Sequence, residues 1–337
     1  DDDVAGFTIV ESGGSTEVAE SGTTDTFTIV LDAQPTSDVV LTVASSDTGE
    51  ATVTSSLTFT PANWDTAQTI TITGVDDDII DGTVTSTITI SVVDASSNDD
   101  FDSVADETVS VTTSDDDVAG FTIVESGGST SVDESGTTDT FTVVLNAEPA
   151  SDVVLTISSN DTGEATVTST LTFTSANWDT AQTVTVTGAD ESIIDGDQTS
   201  TITISIDDAN SDNNFDSVAD QTVSATTTDD DVAGFTIVES GGSTSVDESG
   251  TTDTFTVVLN AEPASDVVIS ISSSDTGEAT VTSTLTFTSA NWDTAQTVTV
   301  TGADDFILDG TKSSTVTVTI VDSISDNDFS GVADQTV

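Results

Sequence analysis

Residues 24–31 read Thr-Asp-Thr-Phe-Thr-Ile-Val-Leu, which sets Phe27, Ile29 and Leu31 on one side of an extended strand. The same alternation groups Leu57 with Phe59, Ile70 with Ile72, and Ile88 with Ile90 and Val92, while Thr or Ser fills most positions between. Runs of period two, rich in β-branched residues and bounded by Gly, Ser, Asp and Asn, predict half-buried strands joined by short turns. Roughly seven such strands to a unit predict an all-β, antiparallel sandwich. No stretch sustains a helical period, and "PANWDTA" at 61–67 is expected to make a single turn. Its Trp64, with Trp178 and Trp292 in the corresponding places, is expected to fill a corner of the core, with sugar stacking as the minor alternative.

The pattern repeats. "DDDVAGFTIVESGGST" begins at Asp1, Asp115 and Asp229, a period of 114, and "NWDTAQT" keeps that register at Asn63, Asn177 and Asn291. Residues 118–154 and 232–268 are identical. Self-similarity at a fixed spacing predicts three tandem units, at residues 4–117, 118–231 and 232–337, with 1–3 as the closing acidic run of a preceding unit. Only Asp-Asp-Asp-Val-Ala-Gly separates the last strand of one unit from the first of the next, so no Gly/Ser or Pro-rich hinge is built in. Units about 35–45 Å long, from strands of roughly ten residues, would then stand in line as a rod.

Charge narrows the function. The chain carries 62 acidic residues against one basic residue, Lys312, for a net charge of −61. Nucleic acid and anionic membrane both need a basic surface, so neither is an expected partner. With no His and no Cys, the usual general base, the nucleophilic triads, ordinary zinc sites and disulfides are all excluded. No enzyme is expected. No apolar run approaches the roughly 18–20 residues of a membrane span, and a chain without Met reads as a mature product or part of something longer.

The acids gather in turns rather than on outward strand faces. One cluster is "ITGVDDDIIDG" at 72–82, others are the "DDD" joints and "SSNDDFDSVADE" at 96–107. Like charges about 4 Å apart cost on the order of 4 kcal/mol at an effective dielectric near 20, so clustering without cations is unfavourable. The 72–82 loop recurs as "VTGADESIIDG" and "VTGADDFILDG". Its first, second and sixth positions, counted from Asp76, stay acidic: Asp76, Asp77 and Asp81, then Asp190, Glu191 and Asp195, then Asp304, Asp305 and Asp309. The third position becomes Ser192 and Phe306, so Asp78 is not expected to be a required ligand. A set of carboxylates and loop carbonyls suits Ca2+, which takes about 6–8 oxygens in forgiving geometry.

In "DDDIID", "DDDVAG" and the "AESG" or "DESG" near the first strands, the chain resembles the Calx-beta family of Ig-like sandwiches, found in sodium–calcium exchangers and large bacterial surface proteins. The resemblance implies three tandem Ig-like (Calx-beta-type) sandwiches, with several calcium ions at one end of each, beside the following unit. It implies as ligands Glu20, Asp76, Asp77, Asp81, Asp115, Asp116 and Asp117 in the first unit. In the second they are Glu134, Asp190, Glu191, Asp195, Asp229, Asp230 and Asp231, and in the third Glu248, Asp304, Asp305 and Asp309. The family's Gly-Ser-Asp-Tyr stretch is replaced by "SSDTGEATVTSSLTFT", where Asp47 and Glu50 are the candidates for its ligand. "NDDFD" at 98–102 becomes "DNNFD" and "DNDFS" in the copies and reads as a solvated turn.

The expected function is mechanical: a calcium-rigidified segment of an extracellular stalk or fibre at the cell surface. Its partners would be calcium ions and neighbouring repeats, or copies of itself in a longer array. The alternatives are an adhesive module for a glycan or protein, a calcium sensor, and a head-to-tail filament subunit. Strand donation by residues 1–3 of another copy is disfavoured, because they lack the "VSVTTS" strand.

Overall fold

The computed structural model describes residues 3–304 and 310–337. In the first unit the strands are β1 (Phe7–Glu11), β2 (Thr16–Ala19), β3 (Thr24–Leu31), β4 (Val39–Ser45), β5 (Ala51–Val53), β6 (Ser56–Phe59), β7 (Gln68–Gly74), β8 (Val84–Val92) and β9 (Glu107–Ser114). They form two sheets, β1-β3-β7-β5 and β2-β9-β8-β4-β6. Every pairing is antiparallel except β2 with β9, which runs parallel from Thr16↔Val111 to Ala19↔Ser114. The second unit repeats both sheets, each strand 114 residues further on, from Phe121–Glu125 to Gln221–Thr228.

The strand number exceeds the expected seven, and the reason is local. The first strand is broken at Ser12–Gly14, where Gly13 (φ 71°) and Gly14 (φ 88°) adopt left-handed backbone, a region most residues with a Cβ avoid. The chain there steps from one sheet to the other, so one apparent strand becomes β1 and β2. "EATVTSSLTFT" is likewise divided into β5 and β6, at the edges of opposite sheets. The longest strand, β8, has nine residues and spans about 30 Å.

The alternation is realised. Phe27, Ile29, Leu31, Phe59, Ile70, Ile72, Ile88 and Ile90 are buried between the sheets, and Leu57, Trp64 and Val92 are half-buried against them. Outward positions pair across strands as Thr24↔Thr73, Thr26↔Thr71 and Thr28↔Thr69, so this face is uncharged and the acids are left to the loops. Phe101, 2% exposed, anchors the "NDDFD" turn while Asp99, Asp100 and Asp102 face solvent. Each unit has its own apolar core.

The loop between β7 and β8 reaches across to the next unit. Ile79 bridges Glu148, whose N–H donates to the Asp78 carbonyl at 2.6 Å. The Asn214 amide donates to the Ile80 carbonyl at 2.8 Å, and the Ile80 side chain packs against the second core. The pattern recurs: Ile193 bridges Glu262, Glu262 N–H donates to the Ser192 carbonyl at 2.6 Å, and Ile194 packs against the third core.

Candidate metal centres

At the end of the first sandwich that carries this loop, four chain segments bring carboxylates together. Glu20 follows β2, and its N–H donates to the Ser114 carbonyl, which extends the parallel pairing by one residue. Glu50 precedes β5, and its carbonyl accepts from Val75. Asp77 and Asp81 sit in the β7–β8 loop, Asp115 and Asp117 just beyond β9. Gly74 makes the approach possible, because a Cβ there would lie 2.0 Å from the Ala19 carbonyl oxygen. Gly188 stands in the same relation to Asp133, and Gly302 to Asp247.

Two groups of oxygens result. One atom each from Glu20, Glu50 and Asp81 lie within 4.8 Å of one another, as do atoms of Glu20, Asp77 and Asp117. In the second unit the groups are Glu134, Glu164, Glu191 and Asp195, and Glu134, Asp229 and Asp231. Two oxygens on one calcium ion, each about 2.4 Å from it, can be no farther apart than this. Glu20 and Glu134 each belong to both groups of their unit.

Burial supplies an independent test of the fit. Glu20 and Glu134 are both 0% exposed, yet both Glu20 oxygens and Glu134 Oε1 lack any hydrogen-bond donor. Glu50 Oε2, Asp117 Oδ2, Glu164 Oε2, Glu191 Oε1 and Asp231 Oδ2 are buried and unpartnered too. A buried carboxylate without a partner is costly, and here they occur together and point inward. The donor set is all carboxylate, which suits a hard cation such as calcium.

The electrostatics agree. Burial, then repulsion from Asp115, Asp77, Glu50 and Asp81, pushes the Glu20 carboxyl up to about 7 from 4.5. Burial also raises Glu134 to about 7, against the lowering effect of the Asp230 N–H, and Asp117 to about 6, with Asp115 the next cause. Glu50, Asp81, Glu164, Glu191 and Asp231 are all raised, burial being the largest cause in each. No basic side chain enters either cluster; Lys312, the only one in the chain, belongs to the third unit.

The sequence-based candidates divide. Glu20, Asp77, Asp81, Asp117, Glu134, Glu191, Asp195, Asp229 and Asp231 converge. Asp115 sits beside the first cluster, accepting from Gly82 N–H at 2.8 Å and Asp117 N–H at 2.7 Å. Asp76, Asp116, Asp190 and Asp230 are exposed and outside the groups. Glu248 and Asp304 are exposed, and Asp305 and Asp309 lie outside the described residues. Of the two candidates in the substituted stretch, Glu50 joins the cluster, whereas the Asp47 carboxylate accepts from Gly49 N–H at 2.9 Å and shapes the turn. Glu164 was not singled out by sequence. Its signal is its periodicity, since "TGEATV" recurs with Glu50, Glu164 and Glu278.

No protein-family model matches the chain, and no curated protein does. Among solved structures, "calcium binding domain CBD12 of CALX1.1" is similar at 15% identity, over 59% of this chain and 80% of that one, with a TM-score of 0.26. Titin domains I67–I69 (10% identity, 99% and 94% coverage, TM-score 0.26) and domains 4 and 5 of the S-layer protein SbsC (15%, 66% and 97%, TM-score 0.27) are others. At such scores these likenesses carry no functional argument. The chain's own sheets define its class: all-β, tandem Ig-like sandwiches. Among the described residues, no helix is long and apolar enough to cross a membrane.

Proposed function

We propose that the chain is a calcium-rigidified, Calx-beta-like repeat segment of an extracellular stalk or fibre. One observation carries this reading: Glu20 and Glu134, fully buried with unpartnered oxygens, stand in carboxylate clusters that share a loop with the contact to the next unit. Calcium in the first joint would be held by Glu20, Glu50, Asp77, Asp81 and Asp117, and in the second by Glu134, Glu164, Glu191, Asp195, Asp229 and Asp231. Bound ions cancel the repulsion between the β7–β8 loop and the residues after β9. That fixes the loop, and with it the seat of Ile80 or Ile194 on the following core. Sites of extracellular type bind calcium with dissociation constants of about 10⁻⁴–10⁻³ M, so such a joint would be stiff outside a cell. The absence of His and Cys favours a structural rather than a catalytic role.

Small-angle scattering with and without a chelator tests the reading. A straight particle is expected with calcium and a bent, broader ensemble without it. An unchanged profile after verified metal removal would refute calcium as the cause of stiffness.

A further inference from the structure

The first two joints divide their carboxylates differently. In the first unit the inner group, the one that includes Glu50, is Glu20, Glu50 and Asp81, while Asp77 belongs to the outer group with Asp117. The second unit has Glu191 where the first has Asp77, 114 residues earlier. Glu191 joins the inner group, which then holds four carboxylates: Glu134, Glu164, Glu191 and Asp195. Asp229 completes the outer group there instead.

One methylene accounts for the move. Asp77 is short and folds back on its own loop, where Oδ1 accepts from the Ile79 N–H at 2.9 Å. An aspartate bonded to the backbone two residues on shapes a turn, and this one ties an oxygen to the loop. Glu191 makes no such bond to Ile193 among the described residues, and its Oε1 is buried without a partner. The frame around the two side chains is the same. Gly82 N–H donates to Asp115 and Gly196 N–H to Asp229, both at 2.8 Å. Asp117 and Asp231 bond back to those aspartates at 2.7 and 2.8 Å. The different ligand set therefore comes from the longer side chain and not from a different course of the backbone.

We propose that Glu191 sets the order in which the joints fill: the four-carboxylate inner group of the second joint takes calcium at lower concentration than the three-carboxylate inner group of the first. The inference rests on the calcium reading above and adds a rank to its sites. Calcium affinity is tuned by the charge count of the ligands. Four carboxylates held this close also repel one another more than three do when empty, and the ion relieves that repulsion. As calcium rises, the second joint stiffens first and the first joint follows.

Carboxyl footprinting of the full chain during a calcium titration provides the test, with a water-soluble carbodiimide and an amine as the label and peptide mass spectrometry as the readout. Asp81 and Asp195 are both exposed and lie in stretches of different sequence, "IIDGTV" and "IIDGDQ", so each inner group reports separately. Asp100, exposed and outside the groups, is the control for labelling. Protection of Asp195 should reach its midpoint at roughly tenfold less calcium than protection of Asp81. Glu191→Asp should raise the Asp195 midpoint to near the Asp81 value and leave Asp81 where it was, and Asp77→Glu should lower the Asp81 midpoint. Equal midpoints in the wild-type chain, or midpoints that the two substitutions leave unmoved, overturn the ranking while calcium binding itself stands. Absence of protection at both aspartates at every calcium concentration overturns the ranking and the calcium reading together.

Discussion

Replacing Glu20 with Gln tests the first cluster by a change of sign. The substitution removes a charge and almost no volume from a side chain that is fully buried and lacks hydrogen-bond donors at both oxygens. In chelator, at a pH of about 8, the wild-type carboxylate is ionised although its carboxyl is held up at about 7 against 4.5. A shift of that size corresponds to about 3 kcal/mol of destabilisation, and solvent at the open side of the cluster screens this to about 1–2 kcal/mol. Glu20→Gln should therefore stabilise the chelated first unit, raising its melting temperature by several degrees. With saturating calcium the sign reverses, because the variant loses the ligand common to both groups. Calcium affinity of that unit should fall at least tenfold. The second unit, with Glu134 intact, is the internal control. Calorimetric melting and calcium titration of both proteins give the four numbers required. A variant that is less stable in chelator, or that binds calcium as wild type does, would refute the placement of a cation against Glu20.

Other expectations follow from the same geometry. Because Glu20 and Glu134 are raised above their ordinary value, the stability they confer on the metal-free fold is complete below about 4.5 and lost as pH rises through about 7. Chelated protein should thus melt higher at pH 5 than at pH 8, and calcium-loaded protein should show the opposite order in the same scans. Gly74→Ala should destabilise the first unit by about 1–3 kcal/mol and weaken its calcium binding, since the new Cβ meets the Ala19 carbonyl at 2.0 Å; denaturant melts and titrations report both. Ile80→Asp should leave calcium affinity within a few-fold of wild type but broaden the scattering profile even with calcium, because it removes the side chain seated on the second core. Phe101→Ala should cost about 3–5 kcal/mol, whereas Asp100→Asn, in the same turn but exposed, should change neither stability nor calcium binding.

Alternation made the inner faces of β3, β7 and β8 legible, because a residue's side of a strand follows from parity alone. The split of the first strand was not legible: "FTIVESGGSTEVA" reads as one run, and only the left-handed backbone at Gly13 and Gly14 sends its halves to different sheets. The parallel pairing of β2 with β9 joins residues about as far apart as the unit allows, and no local pattern encodes it. Within the site, consecutive acids mark the loop but not which of its members converge: Asp77 and Asp81 do, Asp76 does not. Val75 bonds back to Glu50, after which Asp76 is left in solvent while Asp77 turns inward. Glu50 and Glu164 are lone acids in turns that look like any others. Their role depends on the loop that carries Asp81 or Glu191 and Asp195, later in sequence, which the sandwich brings beside them.

The central claim is that these carboxylates enclose cations. A crystal structure of the chain grown in calcium tests it most directly. Two ions per joint are predicted, each within about 2.3–2.6 Å of its oxygens, with Glu20 and Glu134 touching both ions of their clusters. Carboxylates left without metal, or splayed into solvent while calcium is abundant, would contradict it.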